Sequence, residues 1–168
     1  MTRFLVAVAL TCATVALADK LSAQIPGASQ PASRDQLIVF VCPHGSAKSV
    51  VAARFFNRMA GEMSGYRAVA RGIEPEPTIP AYVRGPIRKD GFEIGIDEKP
   101  VPLDPAEIRS AATVVCIKCK LPQPYAALAR QELHWSDVPD FDAGYDAARD
   151  KILAHLKEFM AQLATRPQ

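Results

Sequence analysis

Cys42, Lys48 and Ser49 stand at the junction of two contrasting segments. Before them runs Gln36-Leu37-Ile38-Val39-Phe40-Val41, apolar and rich in β-branched residues, which predicts a buried strand. After them, apolar residues at Val51, Phe55 and Met59 predict a helix over residues 50–59 with one buried face. Pro43-His44-Gly45-Ser46-Ala47 form the link. A strand, a tight loop and a helix start aim backbone N–H groups and a positive helix end at one spot, which suits an anion. A cysteine ending the strand lies in that field, where an anionic sulfur is favoured. A nucleophile inside an anion cradle is what phosphoryl transfer through sulfur requires. Lys48 opposes the helix dipole from the first turn, so an anionic ligand gives it a reason to be there. Gly45 supplies the positive φ that a tight loop needs. The plain alternative is a core cysteine at a strand end, followed by a solvated lysine.

Two further groups carry chemistry. Asp140 lies in Trp135-Ser136-Asp137-Val138-Pro139-Asp140-Phe141 and suits a general acid and base, with Asp137 and Asp142 as rivals. Aspartates are also common turn residues. Cys116-Ile117-Lys118-Cys119 ends a predicted strand. Pro122 and Pro124 disfavour the helix that a thioredoxin-type motif opens, and one cysteine pair without a second does not close a zinc site. A redox pair and a local disulfide both stay open. No metal and no cofactor are expected.

These residues need positioning, and the rest of the chain supplies it. The 168 residues are 49% hydrophobic and 23% charged, enough for one domain with a core. A net charge of +2 without a basic, aromatic-interleaved patch argues against a nucleic-acid partner. Strands are predicted at 36–42, 66–72, 112–116 and 132–135. Helices are predicted at 50–59, 81–90, 104–110, 125–130 and 143–164. Asp104 caps the third and Pro105 opens it, while Gly85-Pro86 interrupts or kinks the second. Pro75, Pro77 and Pro80 keep 73–80 a loop. In the last helix Ile152, Leu156, Phe159, Met160 and Leu163 form a core stripe. The alternation predicts a single α/β domain: a parallel four-stranded sheet with helices on both faces. Ligands in such folds bind beyond the carboxyl ends of the strands, where Cys42 falls.

The N-terminus reads as a targeting segment. Met1-Thr2-Arg3 is a short positive start, residues 4–18 are apolar and uncharged, and Ala16-Leu17-Ala18 and Leu21-Ser22-Ala23 match cleavage patterns. The expectation is a signal peptide over 1–23 cut after Ala18 or Ala23, a flexible lead-in over 24–35, and a domain over 36–168. Cys12 leaves with the signal. The apolar run is short for a spanning helix, so no stable membrane insertion is expected after cleavage, and the protein is expected in the periplasm or outside the cell.

The segment from Cys42 to Ser49 resembles the phosphate-binding loop of the low-molecular-weight protein tyrosine phosphatases and of the arsenate reductases that share their fold. That loop reads Cys, five residues, Arg, then Ser or Thr. Cys42 and Ser49 match; Lys48 replaces the arginine, and His44-Gly45 stand where Gly-Asn is frequent. Weaker similarity lies at Ala70-Arg71-Gly72, at Gly91-Phe92-Glu93-Ile94 and at 135–141, where the family's catalytic aspartate precedes proline but Asp140 precedes Phe141. The resemblance covers roughly 36–163 and implies the phosphotyrosine protein phosphatase I-like fold. It implies catalysis by Cys42, Lys48 and Asp140, and substrate binding by His44, Gly45, Ser46, Ala47 and Ser49. The implied partner is a phosphorylated protein, a small phosphomonoester or an oxyanion. Arginine grips phosphate with a planar fork and lysine offers a point charge, so Arg71 or Lys118 reaching into the loop would compensate. Three activities follow: a phosphatase working through phosphocysteine, an oxyanion reductase with Cys116 or Cys119 resolving Cys42, or a non-catalytic phosphate-binding module.

Overall fold

Residues 37–42 are apolar along their whole length because both faces of the strand they form are covered. This strand, β1 (Gln36–Cys42), is followed by α1 (Lys48–Ala60), β2 (Tyr66–Gly72), α2 (Ala81–Lys89), α3 (Pro105–Ser110), β3 (Thr113–Ile117), α4 (Tyr125–Leu128), β4 (Glu132–Trp135) and α5 (Tyr145–Ala164). The computed structural model describes residues 36–61, 65–141 and 144–165. The signal-peptide, lead-in and Asp142 expectations lie outside them.

The sheet has four strands in the order β2-β1-β3-β4, and every neighbouring pair is parallel. Side chains alternate between its faces. Ile38, Phe40 and Cys42 join Val115, Ile117 and Trp135 under α1, α2 and α5. Leu37, Val39 and Val41 join Val114 and Cys116 under α3 and α4. The first face is the aromatic one. Phe40 meets Phe56 at 5.8 Å and Trp135 at 5.5 Å between ring centres, and Phe159 of α5 closes on Phe56 at 6.1 Å. The predicted stripe of α5 is buried at Ile152, Leu156, Phe159, Met160 and Leu163.

The predicted cap of α3 is present: Asp104 Oδ1 accepts from the Ala106 N–H at 2.8 Å. The expectation that Gly85-Pro86 interrupts α2 is corrected. α2 runs unbroken through Pro86. The proline forfeits one helical hydrogen bond, but Val83 and Ile87 are fully buried, and Arg84 ties the helix to the carbonyls of Ile79, Gly95, Ile96 and Glu98. Those contacts outweigh the lost bond. Smaller shifts are at the ends: β3 extends to Ile117, α4 stops at Leu128, and α5 starts at Tyr145.

Candidate active site

Cys42 is the last residue of the central strand β1, and Lys48 is the first of α1. The link between them is held by backbone contacts on two sides. Beyond the strands, the N–H groups of Ile73, Glu74 and Glu76 donate to the carbonyls of Cys42, Pro43 and His44 at 3.3, 2.9 and 3.1 Å. Gly45, at φ +63°, lies flat on Gly72: a Cβ on Gly45 would sit 2.7 Å from the Gly72 nitrogen, and a Cβ on Gly72 would sit 2.8 Å from the Gly45 nitrogen. Two glycines are therefore needed, one for its dihedral and both for closeness.

The N-terminus of α1 has no side-chain cap and no acidic residue in its first turn, so its free N–H groups face the loop. Cys42 Sγ lies 3.2 Å from Ser49 Oγ, and both residues are buried. The serine hydroxyl is placed to donate to the sulfur once the sulfur is an anion. Around the sulfur a pocket of about 310 Å³ is lined by Cys42, His44, Ala47, Lys48, Lys118 and Asp140, with Ser46, Glu76 and Tyr82 at its sides.

Charge in this pocket is arranged as a clasp. Lys48 Nζ donates to Asp140 Oδ1 at 2.7 Å, and Lys118 Nζ donates to Asp140 Oδ2 at 2.8 Å. One carboxylate thus bridges two ammonium groups. Lys118 first and Lys48 second hold the Asp140 carboxyl down at about 2, against an ordinary value of 3.8. Lys118 reaches this position from a left-handed backbone, φ +53°, with its own N–H bonded to the Trp135 carbonyl at 3.1 Å. A non-glycine residue there costs on the order of 1 kcal/mol.

The sequence expectations sort out clearly. Cys42, Lys48, Asp140, His44, Ser46 and Ala47 meet in one pocket. Gly45 and Ser49 support it from behind. Of the two compensating cations, Lys118 arrives and Arg71 does not. Arg71 is paired instead with Glu107 of α3 at 2.5 and 2.6 Å. Asp137 is committed elsewhere, to Lys151 and His155 of α5, each at 2.6 Å. Sequence reasoning missed Glu76, whose carboxylate accepts from the Ser46 hydroxyl at 2.6 Å, and Tyr82 at the pocket mouth. Both come from the proline-rich loop and α2, where no local spacing signals a site.

Cys116 and Cys119 are free thiols, as is Cys42. Cys116 projects from the face of the sheet opposite Cys42. Cys119 lies beyond the strand end, its Sγ donating to the Val41 carbonyl at 3.4 Å. The hydrogen bond between the two thiols and the burial of Cys116 push the Cys116 thiol up, and the same hydrogen bond brings Cys119 down.

No protein-family model and no curated protein sequence matches the chain. Solved structures do. A thioredoxin-dependent arsenate reductase from Corynebacterium glutamicum aligns with a TM-score of 0.63 at 21% identity over 80% of this chain; the chain spans 65% of that protein. The YwlE arginine phosphatase from Geobacillus stearothermophilus aligns at 0.62 and 17% identity over 79% of this chain and 99% of its own. A low-molecular-weight protein tyrosine phosphatase from T. tengcongensis aligns at 0.65 and 18% identity over 76% of this chain and 99% of its own. The chain has the fold that these phosphatases and reductases share.

Proposed function

We propose that this chain is an exported phosphatase of the low-molecular-weight type that hydrolyses aryl phosphomonoesters through a phosphocysteine. The observation that carries the reading is the convergence of Cys42, Lys48, Lys118 and Asp140 on one pocket. The phosphoryl group of the substrate displaces the Asp140 carboxylate from the two ammonium groups, which then hold the phosphoryl oxygens. The Cys42 sulfur attacks phosphorus, and the bond from phosphorus to the leaving oxygen breaks. Asp140, freed from its cations, takes up the proton carried by the bound phosphomonoester monoanion and passes it to the leaving oxygen as the bond to phosphorus breaks. It then takes a proton from the water that opens the phosphocysteine. Two lysines replace one arginine fork: the charge is recovered and the planar geometry is not. Tyr82, half exposed at the mouth, offers a ring for an aromatic leaving group. The apolar start of the chain supports export.

The test is hydrolysis of p-nitrophenyl phosphate by the full chain beside Cys42→Ser. Turnover that falls to background in the variant is the expected result. Turnover that survives it overturns the mechanism. Phosphate binding without any wild-type turnover, unchanged by Asp140→Ala, assigns a binding module instead.

One observation favours a second reading. Cys119 sits against the backbone of β1, one residue from Cys42, and is the thiol of its pair that ionises first. In an oxyanion reductase, Cys42 sulfur displaces one arsenate hydroxyl, which leaves as water, and Cys119 sulfur then attacks Cys42 sulfur. Arsenite then leaves with the electron pair and a disulfide remains for an external dithiol to reduce. That reading predicts loss of two thiols per arsenite formed, a loss abolished by Cys119→Ser. Sulfur on the opposite face leaves Cys116 out of this step.

A further inference from the structure

We propose that Cys116, Cys119, Glu132 and His134 bind a zinc ion on the sheet face opposite Cys42, and that this ion clamps the turn carrying Lys118. The site does not rest on the phosphatase reading of Cys42, and a zinc-bound Cys119 is withheld from the reductase step.

The ligands are assembled by strand geometry. β3 and β4 are parallel with Cys116 opposite His134 and Val114 opposite Glu132. Glu132 and His134 are two residues apart, so they project on the same side as Cys116, while Leu133 and Trp135 turn into the aromatic core. Cys116 Sγ, a Glu132 oxygen and a His134 ring nitrogen all lie within 4.8 Å of one another. Two of those separations are already 3.3 Å: Cys116 Sγ to Glu132 Oε1, and His134 Nε2 to the same oxygen. Bonds of about 2.3 Å to sulfur and about 2.1 Å to nitrogen, at a tetrahedral angle, set ligand atoms about 3.6 Å apart. Cys119, whose sulfur lies outside that 4.8 Å set, is the fourth ligand the ion would draw in. With Cys116 and His134 it lines a pocket of about 370 Å³. His134 is 48% exposed, which gives an ion a way in.

The donor set selects the metal. Two sulfurs, an imidazole and one carboxylate suit zinc, and they are a poor match for calcium or magnesium, which take oxygen. Binding replaces the two thiol protons, so zinc enters as two protons leave and affinity rises with pH. Bonds to residues 116 and 119 would span Lys118, the one residue outside the glycines with positive φ among the described residues. Lys118 in turn donates to Asp140 at 2.8 Å. The metal site and the phosphate pocket thus share this residue as a wall.

The experiment is titration of the reduced full chain with Co²⁺, then Zn²⁺, following thiolate-to-cobalt charge-transfer absorption, with circular dichroism as the check on folding. The expected result is one equivalent of Co²⁺ with a charge-transfer band that Zn²⁺ abolishes. The band should persist in Cys42→Ser and vanish in Cys116→Ser. His134→Ala, a change on an exposed side chain that leaves the fold intact, should weaken Zn²⁺ binding by at least about tenfold. A folded, reduced chain without the band overturns the proposal. So does a band that is lost in Cys42→Ser, or Zn²⁺ binding that His134→Ala leaves unchanged.

Discussion

A carboxylate with an ammonium group on each oxygen has no proton to give at neutral pH, and this is the state of Asp140. Binding and turnover should therefore respond oppositely to its loss. Asp140→Asn removes the internal counter-ion of Lys48 and Lys118, so inorganic phosphate should bind several-fold more tightly. Turnover of an unactivated phosphomonoester should fall by about 10²-fold or more through loss of the general acid. Phosphate titration and steady-state kinetics on the same variant check both, and parallel changes would show that the clasp is not opened by substrate. Lys118→Ala should weaken phosphate about tenfold, the size of one charge-assisted hydrogen bond. Lys48→Arg should raise kcat/KM by supplying a planar fork. Cys42, Lys48 and Ser49 were legible in the sequence because one strand-loop-helix unit carries all three. Asp140 was legible only through resemblance, since aspartate in a Pro-containing loop has many other uses. The arrival of Lys118 and not Arg71 was undecidable locally. It depends on a left-handed residue at 118 and on Glu107 capturing the arginine.

At the scale of elements, the cradle is made rigid by the pairing of residues 42–45 with 72–76. Gly45→Ala should cost more than about 2 kcal/mol, combining the left-handed dihedral with a backbone collision, and Gly72→Ala should cost about 1–3 kcal/mol from the collision alone. Chemical denaturation measures both; equal, small losses would mean the loop simply moves aside. α5 is anchored near the same rim by Asp137, whose carboxyl is held at about 2 first by Lys151 and then by His155. A depressed carboxyl stabilises the fold above its ordinary value of 3.8 and loses that effect as pH falls through about 2. The difference in thermal stability between wild type and Asp137→Asn should thus shrink as pH falls from about 4 toward 2. Periodicity revealed the buried faces of α1 and α5 because each stripe is its own evidence. It misjudged α2, where long-range ties from Arg84 override a proline that local rules place at a break. The cluster at Cys116 was hidden for a related reason. Glu132 and His134 share a face by strand alternation, but which residue they oppose depends on strand register, and register is not a local property.

Across the whole molecule, the residues that meet in the pocket around Cys42 come from the carboxyl ends of the parallel strands. Residues 42, 76, 118 and 140 follow β1, β2, β3 and β4 in turn, and the sheet order brings the four loops to one rim. The alternation of strands and helices made that architecture readable from sequence, since a parallel sheet requires a crossover between each pair of strands. The rim is only as firm as the aromatic layer beneath it. Phe56→Ala should destabilise the fold by about 3–5 kcal/mol, measurable by denaturation. That layer has a consequence for how the molecule is made. A ribosome delivers α5 after all four strands, yet α5 covers Phe56 and Trp135. A nascent chain halted at residue 144 has its nucleophile, its cations and all four strands, and leaves a sheet face of aromatic rings open to water. The residues that line the pocket around Cys42 are thus all synthesised before the aromatic face beneath them is covered.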